Sequence, residues 1–527
     1  MTTEETKQAA IAILNNPDGK WALKLHDGRY RVTRRGNPYA SPRHRRSFQS
    51  AISNRLTADW ESSDTSADAE IYGALTSLRN RSRAEERNNG YIEAFFRELE
   101  NNVVGPSGFR FTAKSKDPSG TPDKAANAAI EDHYKRWTQE PENYCVTGLL
   151  DETTADRLLV RAVARDGDCL IRIVRGYAGS AYRFALQPLE ADHVDHCYNA
   201  TLQNGNRIIM GVEVDPWGRP AAYHFGAAHP GDMYGTSYGA SYGGNRERIP
   251  AADIIMPFIS KRVGQNRGYP WAAAALFRMK RLNSYEDSEV IAAETASRKQ
   301  GFLTSTLESG AEYSGPENAA EGGKYMDTSP GEIEQLPPGM EFKAWDPQHP
   351  AAQFSDFRKA LLRGIASGLA VSYNTLANDL EGVNYSSLRD GKITERDAYK
   401  SLQAWWISTV KRKIFRAWLS HSLDFGLITM PNGGSLPAAR FDKFANVIFQ
   451  GRRWAWVDPL KEQQAAQLAR KNGWKADGDI MAEQGYDRAD VYEQIAADQA
   501  AAAELGLTFD HEIDPAEPPQ VDTDQED

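Results

Sequence analysis

The densest run of potential ligands in this chain is Asp192-His193-Val194-Asp195-His196-Cys197, where imidazole, thiol and carboxylate fall within six residues. Structural zinc needs four donors, drawn from two well-spaced pairs. The other nearby thiol, Cys169, lies in an apolar, alternating stretch that predicts a strand, and there is no His-Glu-x-x-His segment. The run therefore reads as a polar strand end with ordinary histidines, and neither a metal nor another cofactor is expected. Two pentapeptides, Gly235-Thr236-Ser237-Tyr238-Gly239 and Gly239-Ala240-Ser241-Tyr242-Gly243, match the Gly-x-Ser-x-Gly nucleophile elbow. A working elbow suspends its serine between a buried strand and a helix. Here both matches sit in a Tyr/Gly/Ser-biased loop, so a serine hydrolase stands only as an alternative. Phosphate-cradling chemistry is missing too, because the Gly-Lys pairs are followed by Trp21, Tyr325 and Ile393 and not by Ser or Thr. Glu286-Asp287 and Glu332/Glu334 read as solvated surface and not as a hydrolytic pair. Trp405, Trp406 and Trp418 recur at helical spacing and read as packing residues, not as a base-stacking platform. The chain is not expected to be an enzyme.

The elements that carry these residues belong to a chain of 527 residues, 40% hydrophobic, long enough for several cores. Lys and Arg number 62 against 72 Asp and Glu, a net charge of −10, which argues against a surface that coats nucleic acid. The charge is unevenly placed. Residues 510–527 hold eight acids, three prolines and no base, a composition that cannot bury enough to fold. In the opposite sense, residues 29–46 hold seven arginines, among them Arg34, Arg35, Arg43, Arg45 and Arg46, and no acid. With its prolines and tyrosines this stretch reads as an extended basic arm, either a solvated segment covering a subunit surface or a contact with nucleic acid or an acidic neighbour. Three widely spaced cysteines supply no disulfide framework. No stretch reaches the ~18 apolar residues of a membrane span, and the start lacks a signal-peptide layout, so a soluble protein with no membrane partner is expected.

Periodicity divides the body. Helices are expected over 67–101, 123–138 and 153–165, the last ending at Asp166-Gly167-Asp168. Strands are expected over 169–175, 184–189, 208–214 and 219–225, the final pair flanking Asp215-Pro216-Trp217-Gly218. Pro270 opens a run without Gly or Pro up to Gly301, a helix of ~45 Å whose apolar face would be Leu276, Met279, Leu282, Tyr285 and Val290. Residues 301–350 predict a small β element. A second helix over 351–370 would bury Phe354, Phe357, Leu361, Ile365 and Leu369. A polar connection then leads into a long helix over 385–423, marked by Leu402, Trp406, Val410, Ile414 and Trp418 with Lys411, Arg412, Lys413 and Arg416 between them. A last helical region, 459–505, would break at Gly473, Gly478 and Gly485.

One set of motifs is collectively specific. Arg262-Val263-Gly264-Gln265-Asn266-Arg267-Gly268-Tyr269-Pro270-Trp271, together with Asp166-Gly167-Asp168, Leu336-Pro337-Pro338-Gly339, Asp346-Pro347-Gln348-His349-Pro350, Gly382-Val383-Asn384-Tyr385 and Arg453-Trp454-Ala455-Trp456, resembles the lambda-like portal proteins of tailed bacteriophages, in the same order, over roughly residues 40 to 505. The resemblance implies an α+β subunit with an α/β wing, a two-helix stem, a small clip, a long tunnel helix and a helical crown, assembled as a ring. Mapped onto this chain it gives an N-terminal arm (1–66), wing (67–269), stem helix (270–300), clip (301–349), second stem helix (350–370), tunnel loop and long helix (371–425), wing return (426–458), crown (459–507) and acidic tail (508–527).

The implied function is that of the head-to-tail connector at one capsid vertex, through which double-stranded DNA is packaged and ejected. The implied partners are further copies of the chain, as a dodecamer, then terminase, head-completion or adaptor proteins, and the major capsid protein or scaffold. The implied location is the virion, with host cytoplasm during assembly. Candidate channel residues are Asn378, Asp379, Glu381, Asn384, Arg389 and Lys392. Another ring-forming head or tail protein is the second alternative.

Overall fold

The computed structural model describes residues 21–26, 29–34, 64–226, 229–231, 246–298, 301–305, 340–344, 351–381, 385–454, 459–483 and 488–504, with single positions 8, 11, 55, 486 and 506. The chain divides into two compact units, Met1–Thr65 and Ser66–Asp527.

In the first unit, strands β1 (Trp21–His26) and β2 (Arg29–Arg34) form an antiparallel hairpin with Trp21 opposite Arg34 and His26 opposite Arg29. The first part of the expected extended arm is therefore a paired strand. Tyr30, Val32 and Thr33 are the β-branched and aromatic residues that favour it.

The second unit opens with α1 (Ala67–Asn88), whose first turn is capped by Ser66 accepting from the Ala69 N–H. It continues through α2 (Gly90–Leu99) into a π-helical turn, Glu100–Val104. Strand β3 (Arg110–Ala113) and helices α3 (Lys124–Gln139) and α4 (Glu152–Asp166) follow, the helices capped by Asp123 and Asp151. Gly167, at φ +97, ends α4. The chain then enters β4 (Cys169–Arg175) and β5 (Phe184–Glu190), and then a run of short strands, β6 (Ala200–Thr201), β7 (Arg207–Ile209), β8 (Val212–Val214), β9 (Pro220–Phe225), β10 (Glu247–Pro250) and β11 (Ile254–Ile255). Strands β10-β9-β8-β7-β6 make one antiparallel sheet and β11-β4-β5 another. The expected single strand over 208–214 is two strands. Met210 and Gly211 both have positive φ, which reverses the chain between β7 and β8. Gly211 is required there, since a Cβ would lie 2.6 Å from the Asp195 carbonyl oxygen.

Helix α5 (Ala273–Arg298) begins three residues after Pro270, because Pro270–Ala272 forms a turn in which the Ala273 N–H reaches the Pro270 carbonyl. Leu276, Met279 and Leu282 are buried as expected, whereas Val290 is 66% exposed. Strands β12 (Gly301–Ser305) and β13 (Met340–Ala344) pair antiparallel, and α6 (Ala351–Leu369) follows beside α5. Two small-residue contacts let the helices approach: a Cβ on Gly368 would sit 3.5 Å from Ala275 Cβ, and one on Gly364 would meet the Arg278 guanidinium. Further along, the Tyr285 ring faces Phe354 and Phe357 at 5.7 and 5.1 Å. The buried stripe of α6 is Leu362, Ile365, Ala366 and Leu369, and Phe357 is half exposed. The expected stripe was thus off at its N-terminal half.

After the short helix α7 (Tyr373–Ala377), the predicted long helix appears as α8 (Tyr385–Trp406) and α9 (Arg412–Asp424), joined by a π-helical turn, Ile407–Lys411. Gly391 does not interrupt α8. Trp406, Val410, Ile414 and Trp418 are all buried, and Trp418 stacks on Trp137 at 5.7 Å in an aromatic centre that includes Tyr134, Phe415 and Phe449. Strand β14 (Val447–Gln450) returns to pair with β3. The C-terminal helices are α10 (Pro459–Lys471), α11 (Asp477–Glu483) and α12 (Arg488–Glu504). Gly473 lies between helices, but Gly478 sits inside α11 and breaks nothing. Gly485 lies outside the described residues, as do Ser237 and Ser241. Among the described residues, no helix is long and apolar enough to cross a membrane.

Candidate channel loop and its anchors

The segment between α6 and α8 is built from its first residue onward. Ser372 caps α7, its Oγ accepting from the Thr375 N–H at 3.2 Å. Thr375 Oγ1 donates to Glu395 Oε2 at 3.0 Å, while the Ser372 N–H and Tyr399 hydroxyl reach Glu395 Oε1. Glu395 on α8 therefore pins the start of the loop from behind. Asn378 ends α7 in the left-handed region (φ 49, ψ 39), a conformation asparagine tolerates better than most residues. That turn lets Asp379 fold back, accepting from the Tyr373 hydroxyl at 2.6 Å and the Glu381 N–H at 2.9 Å. These two bonds hold the Asp379 carboxyl below its ordinary pKa range. Lys359 on α6 closes the arrangement, 2.9 Å from Glu381 and 4.0 Å from Asp379. One helical turn on, Arg363 lies over the Tyr373 ring at 5.5 Å.

The structure thus brings Asn378, Asp379 and Glu381 together, with a basic partner on α6 that sequence reasoning missed. Lys392 lies apart from the two acids, lining a cleft of about 450 Å³ behind the loop with Asn378, Glu395, Arg396, Tyr399 and Trp454. Arg389 belongs to α8, and Asn384 lies outside the described residues. Of the basic arm, Arg34 ends β2, and Arg35, Arg43, Arg45 and Arg46 lie outside them.

A second constellation is fully buried. Asp168 accepts from Arg267 at 2.8 Å, from Arg79 at 2.7 Å and from the Gly268 N–H at 2.9 Å. Arg79 and Arg83 also hold Asp192, at 3.1 and 2.5 Å. Burial would raise the Asp192 pKa, but the two guanidiniums outweigh it and keep the carboxyl well below its usual range. At the π-turn between α8 and α9, Lys411 bonds Glu152 and, at 2.8 Å, Asp156, which also accepts from Trp406 Nε1. Desolvation raises the Asp156 pKa against the pull of Lys411. From sequence, Lys411 is one of several basic residues on a helix, and nothing local marks it as buried.

The ligand-rich run also resolves. Asp195, His196 and Cys197 lie close together, but the Asp195 carboxylate already accepts from the Cys197 N–H at 2.9 Å and from Arg246 at 2.8 Å. Glu190, Asp192 and His229 form a second group, with Arg83 against Asp192. In each group one carboxylate is paired with a guanidinium, Asp195 with Arg246 and Asp192 with Arg83.

The buried ion pairs Arg267–Asp168 and Lys411–Asp156 join segments that are distant in the chain. The chain belongs to the lambda family of phage portal proteins. The family described as "Phage portal protein, lambda family" matches residues 53–403. The chain is 35% identical over 470 residues, 88% of each chain, to the probable portal protein of Halomonas phage phiHAP-1. It is 22% identical over 492 residues to portal protein B of Escherichia phage lambda, covering 85% of this chain and 88% of that one. Among solved structures, it resembles a chain in the neck of a native gene transfer agent particle computed with C12 symmetry, at 13% identity and a TM-score of 0.43, covering 78% of this chain and 93% of that chain. The protein is thus a phage portal protein and a virion component, from a family that is structural.

Proposed function

We propose that this chain is the repeating unit of a ring, twelve copies in our reading, whose axial channel passes double-stranded DNA during packaging and ejection. The observation that carries this is the helical excursion α5–β12–β13–α6, which leaves the body as one helix, turns at a strand pair and returns as a second helix directly into the Asp379/Glu381 loop. In this reading α5 and α6 are the stem, residues 301–349 the clip that meets terminase and later the head-completion or adaptor proteins, and residues 371–425 the tunnel loop and helix. Residues 67–269 and 426–458 form the wing toward the major capsid protein or scaffold, and 459–507 the crown. Assembly takes place in the host cytoplasm.

Electrostatics supports the channel role. Duplex DNA carries one charge per ~1.7 Å, so a 26-residue helix at 1.5 Å rise runs beside roughly 23 phosphate charges. A ring multiplies every inward cation by its copy number, and a basic bore would retain the polymer it has to release. In each loop Asp379 and Glu381 engage Lys359, so this cation is already paired within the subunit and less available to hold phosphate. Negative-stain microscopy of the purified full-length protein tests the reading. Rings with an axial hole of at least ~20 Å are expected, and a monomer, or a ring too narrow for a duplex, would overturn it.

A further inference from the structure

Helix α9 and the turn before β14 enclose a small polar pocket of about 230 Å³, walled by Arg412, Arg416, Phe415 and residues 445–447. It has no carboxylate in its wall. Arg412 and Arg416 are one helical turn apart and both are exposed, as is Lys413 beside them. Among the described residues none of the three makes an ion pair, and the contact recorded for Arg416 is with the Phe441 ring at 4.9 Å. Asp117 and Asp123 are bonded by Lys443 at 2.7 and 2.6 Å. Asn446 spends its side-chain N–H on the Lys114 carbonyl. The pocket thus presents two arginines, with Lys413 beside them on α9, and none of the three is ion-paired among the described residues.

The chain carries the matching imbalance elsewhere. Residues 510–527 hold eight acids and no base. From the last described position, 506, the 21 residues up to 527 can span up to ~70 Å. We propose that the Arg412/Arg416 pocket is the docking site for this acidic C-terminal segment, from the same or an adjacent copy. Carboxylates paired with guanidinium forks gain charge-assisted hydrogen bonds that neither partner finds alone. The inference stands apart from the channel reading, since it requires neither a ring nor DNA.

Lys413 supplies the test, because a carbodiimide joins an amine to a carboxylate only where the two touch. In the full-length protein we expect crosslinks from Lys413 to acids within 510–527, falling at least tenfold in Arg412→Glu/Arg416→Glu and in 0.5 M salt. Mixing isotopically labelled and unlabelled protein separates own-chain from cross-chain links. The altered arginines are exposed, and an unchanged melting temperature verifies that the variant is folded. Lys413 linked only to nearby acids such as Asp442, or a yield indifferent to the arginine changes, overturns the proposal. So does a 20-base-pair duplex that binds the full-length protein through these arginines while the tail crosslinks are absent.

Discussion

Arg267 and Asp168, ninety-nine positions apart, meet as a two-bond guanidinium–carboxylate pair that water does not reach, with Nε–Oδ2 at 2.8 Å and Nη2–Oδ1 at 3.3 Å. Arg267 also donates to the carbonyls of Met210 and Ala191 at 3.0 Å each, so one side chain ties α4, the β7–β8 reversal and the approach to α5 into one unit. Removing one member of such a pair strands its partner's charge. Asp168→Ala should therefore cost about 3–5 kcal/mol by chemical unfolding, and Arg267→Lys should recover little, because an ammonium cannot reproduce the fork. Unfolding midpoints within error of the parent would refute this.

Gly167 and Gly268 make the same junction possible sterically. A Cβ on Gly268 would stand 1.9 Å from the Gly167 carbonyl oxygen, and one on Gly167 would stand 2.3 Å from the Tyr269 backbone. Backbone cannot yield as a flexible side chain can. Gly268→Ala should thus cost roughly 3 kcal/mol or more and sharply lower the soluble yield. Gly264→Ala faces open space and only a positive φ of 83, so it should cost about 1 kcal/mol. Equal losses in the two variants would show that close approach is not the reason for Gly268.

Glu213 supplies an acid-side prediction. Its carboxylate, buried in β8, takes a hydrogen bond from Arg248 at 2.7 Å, which against the effect of burial, and with Asn206 helping, lowers its pKa from 4.5 to about 2. A carboxyl depressed by folding stabilises the native state above its unfolded pKa and loses that contribution as pH falls from about 4.5 toward 2. Glu213→Gln should lower stability at pH 7 by on the order of 2 kcal/mol, discounted because Arg248 is half exposed, and should flatten the acid limb of the stability curve. Parallel curves for parent and variant between pH 2 and 5 would exclude this role.

The Lys359 bridge to the loop acids predicts a charge-swap rescue. Lys359→Glu should release the 379–381 turn, seen as faster proteolytic nicking there, and Lys359→Glu with Glu381→Lys should restore most of the protection. In a packaging assay, Asp379→Lys/Glu381→Lys should slow DNA uptake most strongly at low salt, where phosphate attraction is least screened. Uptake by this variant equal to the parent's at low salt would remove the loop charge from the mechanism.

Much of this architecture was legible in the residue order. Strand β4 and helices α1, α3 and α4 have near enough the limits that alternation, Ser/Asp caps and the Gly167 stop imply, because those signals act within a few residues. The tryptophans at 406 and 418 pack as their spacing implies. Errors appear where a local signal is equivocal. Phe357 and Val290 are apolar on a helical stripe and yet exposed, because periodicity marks a face without saying how much of it a neighbour covers: Phe357 touches the Tyr285 ring and is still half exposed. Met210-Gly211 lies inside an apolar run, and no strong turn pair announces the reversal there.

Family membership and the order of helices and strands were written in the sequence itself, since both rest on local periodicity and on motifs that survive as short contiguous words. Tertiary structure alone decided which charges became internal. Asp168 with Arg79 and Arg267, and Lys411 with Asp156, are joined across chain separations that no local pattern encodes. A buried charge is tolerable only where its counter-charge arrives in space, and that arrival is a property of the folded chain and not of either segment on its own.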